Sequence, residues 1–454
     1  MLIRTRRDFL KASLSSVSAL SAAGALAKFG EMNALAQVPA GSYNALVCIF
    51  LLGGNDGHNT VIPISTPNGY QNNPALYTAN RLSLALPQAS LLQVATKAGD
   101  IYGLHPKLKE LQSLYNSGKA AILANVGMLA EPIANRTAYL NGAKVPANLF
   151  SHSDQTNQWE TTVPNGLVSS GWGGRLADYM QPSNSSAAFP AVATTSGCGV
   201  FCSGQLTFPT TVPPSGAISL NGLGDPAILQ GNQQLLSFDN GLKLVQSANS
   251  VVTRGQTYAN ALNGLIGGVK INTAFPASGL GSQLGMVAKL IALRSQLHLS
   301  RQVFFCTLGG FDTHSGELAI QDALFSELSP AIQAFYDATT ELGVQNQVTT
   351  FTNSEFGRTV MPNSSGGTDH AWGSNHFVIG GGVKGGDMYG QFPLLALSGQ
   401  DDANNRGTTI PSTSVAQYAA TLAKWFGVID PNSLGQIIPS LGNFGSNTDL
   451  GFLA

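Results

Sequence analysis

Five stretches of the chain are rich in apolar and β-branched residues and end at glycine or polar residues. They are residues 45–52, 120–126, 303–308, 348–352 and 376–379. Apolar runs without polar alternation are typical of strands buried on both faces, as in a parallel sheet. The pattern therefore predicts four such strands, with 376–379 as a shorter fifth.

The segments between these strands repeat apolar residues at helical spacing. In residues 106–115, Leu108, Leu111 and Leu114 fall on one stripe. The other helical segments are 284–299, 318–342 and 415–426. Strands that alternate with helices predict an α/β fold, here a three-layer sandwich with a mostly parallel central sheet. Residues 195–280, rich in Gly, Ser, Thr, Pro and Asn, break the pattern, and we interpret them as a loop-rich insertion or cap.

Composition places the chain among globular proteins of low charge. Of its 454 residues, 43% are apolar and 10% are charged, against roughly 25% charged in average soluble proteins. The apolar content is enough for a sizeable core, and residues 37–454 fit one large α/β domain. The formal net charge of −1 argues against an electrostatic nucleic-acid binder, so no nucleic-acid partner is expected.

The first 36 residues have the features of an export signal. TRRDFLK at 5–11 closely resembles the twin-arginine motif, a mildly apolar stretch follows at 12–27, and the small-residue triplet ALA lies at 34–36. We interpret 1–36 as a twin-arginine signal peptide, which makes the export machinery a partner and the periplasm or the extracellular space the destination. The apolar stretch is too short and too polar for a stable membrane span of about 20 residues. The alternatives are an amphipathic leader helix of the folded domain and retention as an uncleaved anchor.

Acidic and imidazole side chains follow several of the predicted strands. The segments are GGNDGHNT at 53–60, GGFDTH at 309–314, NSEFGRT at 353–359 and, soon after, GTDHAWGSNH at 367–376. Ligands of open α/β sheets bind beyond the carboxyl ends of the strands, and clustered Asp, Glu and His side chains suit divalent metals. The candidate metal ligands are Asp56, Asp312, His314, Glu355, Asp369, His370 and His376. Arg358 is the candidate donor to an oxyanion such as phosphate or sulfate.

A further polar segment, FSHSDQTNQWE at 150–160, offers hydroxyl groups for chemistry near the predicted metals. Ser151 or Ser153 is a candidate nucleophile, and His152 is a candidate ligand or proton carrier. The alternative is a polar helix start with Ser as the N-cap. In the same way, a lone Asp-Thr-His is commonly a loop whose Asp caps a helix.

The four cysteines divide into two pairs. Cys48 and Cys306 lie in apolar runs and are predicted to be buried core thiols. Cys198 and Cys202 are close in sequence, and an oxidising compartment would permit a disulfide between them.

Together with the leader, these motifs resemble the bacterial domain-of-unknown-function family 1501, exported proteins related to the alkaline phosphatase and sulfatase superfamily. LHPKL at 104–108 and GWGGRLAD at 171–178 also match. The resemblance implies an alkaline phosphatase-like fold, Asp56 as the metal ligand after the first strand, and Asp312 with His314 as a second ligand segment. The superfamily spacing Asp-x-x-x-His is Asp-x-His here. Glu355 stands where Asp-His-Gly is usual, so either Glu355 replaces a ligand or the Asp-His pair has moved into a loop, as Asp369 and His370.

The resulting hypothesis is an exported metal-dependent hydrolase of phosphate or sulfate monoesters. Asp56 and one ion would activate a serine hydroxyl, and a second ion would stabilise the leaving oxygen. The expected cofactors are one or two divalent ions from among zinc, manganese, magnesium and calcium. The expected substrate is a small anionic ester or a decorated polysaccharide. The alternatives are a non-catalytic envelope binding protein on the same fold and a purely structural envelope component.

Overall fold

The structure is a computed structural model that describes residues 43–65, 74–184, 191–216, 218, 225–238 and 241–454. The signal peptide predicted for residues 1–36 lies outside these residues. Among the helices described, none has both the length and the apolar character that crossing a lipid bilayer requires.

A mixed sheet of nine strands, counted over the described residues, forms the centre of the molecule. In spatial order the strands are β11 (Met388–Gly390), β5 (Ala120–Gly127), β10 (Ser374–Ile379), β9 (Val348–Asn353), β1 (Asn44–Leu52), β8 (Arg301–Gly309), β6 (Val192–Thr194) and β7 (Thr210–Thr211), with β12 (Thr413–Ser414) pairing beside β5. Only β10 runs antiparallel to its neighbours β5 and β9, and the other pairs are parallel. The prediction of a mostly parallel central sheet is thus confirmed.

A smaller antiparallel sheet joins β2 (Val61–Ser65), β4 (Ile101–Leu104) and β3 (Leu92–Ala95). The α-helices of the described residues are α1 (Gly57–Thr60), α2 (Pro74–Arg81), α3 (Lys109–Asn116), α4 (Arg136–Leu140), α5 (His152–Thr161), α6 (Trp172–Met180), α7 (Pro226–Ser237), α8 (Lys243–Gly268), α9 (Gly279–Ala292), α10 (Glu317–Glu341), α11 (Val415–Phe426) and α12 (Pro431–Ile437).

Side chains of β1 alternate between two hydrophobic cores because successive residues of a strand point to opposite faces. Val47 and Ile49 pack with the helices α3, α9 and α10 on one face. Leu46, Cys48 and Phe50 pack with α6, α11 and α12 on the other face. The central sheet is therefore covered on both sides, which confirms the predicted three-layer sandwich and explains the unbroken apolar run of 45–52.

The predicted helices are present, with shifted ends in two cases, and the helix predicted over 106–115 spans Lys109–Asn116. Helix α9 was expected over 284–299 but spans Gly279–Ala292. Its start lies earlier because the Ser278 side chain accepts a hydrogen bond from the Gly281 N–H and caps the first turn. Residues 195–280, predicted to be a loop-rich insertion, contain α7 and α8. Their role as a cap over the site stays a prediction.

All four cysteines are buried thiols. Cys48 and Cys306 lie in β1 and β8 within the cores, as predicted. Cys198 and Cys202 are buried as well and are free thiols in this structure, so the disulfide that an oxidising compartment would permit does not join them here.

A buried acidic residue, Glu160, lies one residue before the end of helix α5. The Glu160 carboxylate accepts a hydrogen bond from the Val200 N–H at 2.7 Å. Burial raises the pKa of Glu160 to about 7, although the N–H groups of Val200 and Phe201 act in the opposite direction. The folded protein therefore binds the Glu160 proton more tightly than the unfolded chain does.

We expect the Glu160 carboxyl to make stability depend on pH. Because its folded pKa lies above the unfolded value, its contribution is fully present below about pH 4.5 and is lost as the pH rises through about 7. The Glu160→Gln protein cannot ionise there, so its free energy of unfolding should fall less between pH 5 and pH 8 than that of the wild type. Urea unfolding across this range measures the difference, and parallel pH profiles would contradict the assignment.

Candidate metal centre

Three histidines meet at one carboxylate beyond the carboxyl end of β8. Asp312 and His314 follow β8, His152 is the first residue of α5, and His370 lies in the loop before β10. The His314 and His370 Nε2 atoms lie 3.1 and 3.2 Å from Asp312 Oδ1, and His152 Nε2 lies 3.5 Å from Asp312 Oδ2. His314 Nε2 and His370 Nε2 are 2.9 Å apart. His152, Asp312 and His370 together satisfy the spacing of a metal-binding group.

The other ring nitrogen of each histidine faces an oxygen acceptor. The pairs are His152 Nδ1 with Glu355 Oε1 at 3.0 Å, His314 Nδ1 with Asp369 Oδ1 at 3.4 Å, and His370 Nδ1 with the Phe150 carbonyl oxygen at 2.8 Å. Carbonyl and carboxylate oxygens only accept, and each Nε2 also faces such an acceptor in Asp312, so the ring nitrogen that carries the proton depends on what occupies the centre. With a cation bound there, each Nδ1 would carry the proton and each Nε2 would offer its lone pair to the cation. This is the tautomer and the support that metal-binding histidines have.

The separations between these atoms suit a bound cation. Bonds of about 2.1 Å place neighbouring ligand atoms about 3.0 Å apart at right angles and about 3.4 Å apart in a tetrahedron. Four separations, namely those of the three Nε2 atoms from Asp312 and that between His314 and His370, are 2.9–3.5 Å and cover this range. Ligand atoms of His152, Asp312 and His370 all lie within 4.8 Å of one another. Two neutral Nε2 lone pairs at 2.9 Å repel each other unless a proton or a metal ion lies between them. Three imidazoles with one carboxylate favour zinc over magnesium or calcium, which prefer oxygen ligands.

The centre is open to solvent, and its charges are set by neighbours. The side chains of Asp312 and His314 are 47% and 46% exposed. Partial burial raises the pKa of Asp312, but the Arg358 guanidinium outweighs it and lowers that pKa below its usual value. Burial lowers the pKa of His370, partly offset by its bond to the Phe150 carbonyl. The carboxylate and the neutral imidazole are the forms that bind metals.

Arg358 is buried beneath this centre and holds it in place. Its side chain donates to the carbonyl oxygens of Gly54 at 3.0 Å, Thr368 at 3.1 Å and Phe311 at 3.1 Å, and it also bonds to Asp312. Its side chain is 0% exposed. We expected Arg358 to bind a substrate oxyanion, but its guanidinium is directed at protein oxygens and positions Asp312 instead.

Glu355 and Asp369 contact two histidines of the centre at their Nδ1 atoms. Glu355 Oε1 accepts from the Gly53 N–H at 2.7 Å and faces His152 Nδ1. Asp369 faces His314 Nδ1 and pairs with Arg406 at 2.5 Å. Both were expected to be ligands. In this structure they instead orient the imidazoles that face Asp312.

Asp56 and His376, the remaining expected ligands, lie apart from this group. The buried Asp56 carboxylate pairs with Arg81 and accepts from the His58 N–H at 2.9 Å. The His376 ring is fully buried against Trp159, with the ring centroids 5.1 Å apart. Burial lowers the pKa of His376 to about 3, so the ring is neutral. The expected convergence of Asp56 and His376 with Asp312 is therefore not observed.

The two candidate nucleophiles flank His152. Ser151 holds the N-cap position of α5, but its side chain makes no capping bond. Its hydroxyl instead donates to Asp154 Oδ2 at 2.6 Å, whereas the Ser153 hydroxyl lies 3.5 Å from the same atom. The hydrogen bond from Ser151 is the main cause that lowers the pKa of Asp154. The segment is the start of a helix, as the alternative interpretation predicted, but the Ser151 side chain does not cap that helix.

Two elements of the site carried no recognisable signal in the sequence. Phe150 has φ of 72°, a left-handed conformation that is uncommon for a non-glycine residue, and its carbonyl bonds to His370. Arg81 pairs with Asp56 across 25 residues. Glu317, the second partner of Arg81, lies three residues after His314 and was not among the predicted site residues.

One family model and several solved structures match this chain. The family model described as "Protein of unknown function (DUF1501)" matches residues 43–407. No curated protein matches the chain. Similar solved structures include the PsFucS1 sulfatase from Pseudoalteromonas sp., with 11% identity over 86% of this chain and 69% of that chain and a TM-score of 0.33. Another is the phosphonate monoester hydrolase of Agrobacterium radiobacter, with 11% identity, coverage of 85% and 74%, and a TM-score of 0.32. Likeness at this level does not extend to activity.

Gly53 should be needed for the geometry of the centre. Its φ is +117°, and an added Cβ would lie 2.3 Å from the Asp312 N atom. Gly53→Ala should therefore lower the free energy of unfolding by roughly 3 kcal/mol and weaken zinc binding. Gly118→Ala is the matched control, because Gly118 also has positive φ (+72°) but open space around the added Cβ. It should cost about 1 kcal/mol and leave zinc binding unchanged. Chemical unfolding and zinc titration measure both, and equal effects would contradict the argument.

Proposed function

The chain belongs to the DUF1501 family of proteins of unknown function, and we propose that it is an exported metal-dependent hydrolase of phosphate or sulfate monoesters. One observation carries the proposal: three imidazoles direct Nε2 toward Asp312 while oxygen acceptors hold each Nδ1. Such a set, half exposed at the edge of the sheet, binds a cation where a substrate can reach it. A divalent cation held there would act as a Lewis acid toward an ester oxygen.

Ser151 is the hydroxyl that we assign as nucleophile. It directly precedes His152, and its bond to Asp154 is shorter than that of Ser153, at 2.6 against 3.5 Å. Asp154, whose pKa is lowered by that bond, stays ionised and fixes the direction of the hydroxyl. In the proposed reaction, Ser151 Oγ forms a bond to phosphorus or sulfur as the bond to the leaving alcohol oxygen breaks, and the hydroxyl proton ends on the released alcohol. Water then hydrolyses the serine ester, which restores the Ser151 hydroxyl and releases phosphate or sulfate.

The second candidate function is a non-catalytic envelope binding protein on the same fold. Arg358 favours it, since the donor expected to hold the substrate oxyanion is buried and bonded to Gly54, Thr368 and Phe311. In this alternative, the metal centre would bind an anionic group without hydrolysing it. A small ester and a decorated polysaccharide are both compatible with an open site.

Hydrolysis and metal binding can be measured on the same preparations. The protein, stripped with a chelator and reloaded separately with zinc, manganese, magnesium or calcium, should release aryl alcohol from aryl phosphates or sulfates fastest with zinc. Ser151→Ala should lose about 10³-fold or more in turnover while it retains zinc, whereas Ser153→Ala should keep most activity. His370→Ala should weaken zinc binding by about 10²-fold or more.

Each outcome selects between the two functions. Zinc binding without turnover of any ester would favour the binding protein. A Ser151→Ala protein as active as the wild type would remove Ser151 as the nucleophile. A chain that neither binds metal nor turns over substrate would refute the hydrolase.

Export can be tested by two conservative substitutions in the leader. Arg6→Lys with Arg7→Lys should retain the precursor in the cytoplasm, because the twin-arginine route requires the paired arginines. Arg4→Lys, outside the pair, is the matched control and should leave export unchanged. Cell fractionation measures location, and N-terminal sequencing of the exported protein should begin near Gln37. Equal export of both variants would contradict the proposed route.

A further inference from the structure

Arg81 forms the centre of a buried ion cluster next to the proposed metal centre. Its guanidinium bonds to Asp56 and lies 3.0 Å from Glu317 Oε1. It also donates to the carbonyl oxygens of Thr359 and Val360, each at 3.1 Å. The side chains of Arg81, Asp56 and Glu317 are 0–1% exposed. The cluster is thus closed to solvent on all sides.

The cluster shares two chain segments with the metal centre. Glu317 follows Asp312 and His314 in the segment after β8, and Thr368 precedes His370 by two residues. The Thr368 hydroxyl donates to Glu317 Oε2 at 2.5 Å. The Thr368 N–H donates to the carbonyl oxygen of Thr313, which lies between Asp312 and His314, at 3.0 Å. The two clusters are therefore direct neighbours in the fold.

We propose that the chain binds a single cation, at Asp312 and its three histidines, and that the Arg81 guanidinium permanently takes the place a second ion would have at Asp56. The inference rests on the proposed metal centre. It contradicts the role that the superfamily resemblance implies for Asp56, which was that of a metal ligand after the first strand.

The contacts of Asp56 leave no place for an ion. One carboxylate oxygen accepts from the His58 N–H at 2.9 Å, and the other bonds to Arg81. A divalent cation there would add two positive charges beside a buried guanidinium, against only two carboxylates, Asp56 and Glu317. Uncompensated buried charge of this kind is strongly unfavourable.

The same charges make Asp56→Asn a suitable variant. Burial, together with the neighbouring Asp56 carboxylate, raises the pKa of Glu317, so an ionised Asp56 disfavours the ionisation of Glu317. When Asp56 loses its charge, Glu317 can ionise and pair with Arg81, which keeps the cluster neutral. We therefore expect Asp56→Asn to fold.

The test is zinc stoichiometry in the full chain, with elemental analysis after chelator stripping, zinc reloading and desalting. We expect one zinc per chain in the wild type, one in Asp56→Asn, and less than a tenth in Asp312→Asn. The two variants make the same chemical change at the ends of adjacent strands. Circular dichroism establishes that each is folded. If Asp56→Asn does not fold, Glu317→Gln replaces it, since it keeps the Asp56–Arg81 pair and should also bind one zinc.

The outcomes separate this inference from the proposed function. Two zinc ions per wild-type chain, or loss of zinc from a folded Asp56→Asn, would overturn the single-cation inference and leave the hydrolase proposal standing. A wild type that binds no zinc, manganese, magnesium or calcium would overturn both. One zinc in the wild type and in Asp56→Asn, with loss in Asp312→Asn, supports the inference.

Discussion

The buried guanidinium of Arg358 is the interaction on which the site depends. It bonds to the carbonyl oxygens of Gly53 and Gly54 after β1, to that of Phe311 after β8, and to that of Thr368 before β10. A planar cation with several N–H groups can satisfy oxygens from three chain segments at once, which a lysine could not. Asp312 is then the one ionised partner, and its position is fixed by the backbone around the guanidinium. Glycine at position 53 lets that backbone pass within contact distance of Asp312.

Part of the site followed from the sequence because of one rule of sheet geometry. Parallel strands bring their carboxyl ends to a common edge, so the residues after β1, β8 and β9 were bound to be neighbours. Asp312 and His314 lie at that edge for this reason. His370 joins them although it precedes β10, which is antiparallel to its neighbours. Since β10 starts at that edge, the residues just before it reach the centre. His376, two residues inside the strand, is instead buried against Trp159.

The remainder depended on partners that no local pattern marks. Asp56 follows a buried strand, as a metal ligand would, but it pairs with Arg81, which comes from helix α2. Whether Glu355 and Asp369 act as ligands or as acceptors for imidazole N–H groups depends on differences of about an ångström in side-chain position. Strand periodicity does not determine such differences. The α/β layers, by contrast, follow from hydrophobic periodicity alone, and for this reason the fold was predictable where the ligand set was not.

The charge around the centre gives the strongest physical reason to expect a cation there. With neutral imidazoles, Asp312, Glu355 and Asp369 face only the two guanidinium groups of Arg358 and Arg406. Together with the Asp154 carboxylate, which accepts from Ser151, the group carries two net negative charges, in a chain where only 10% of residues are charged. A divalent ion would neutralise that charge and remove the repulsion of the proposed anionic ester. Without the ion the same charges would repel that ester, so the proposed function requires the cation for binding the substrate as well as for its chemistry.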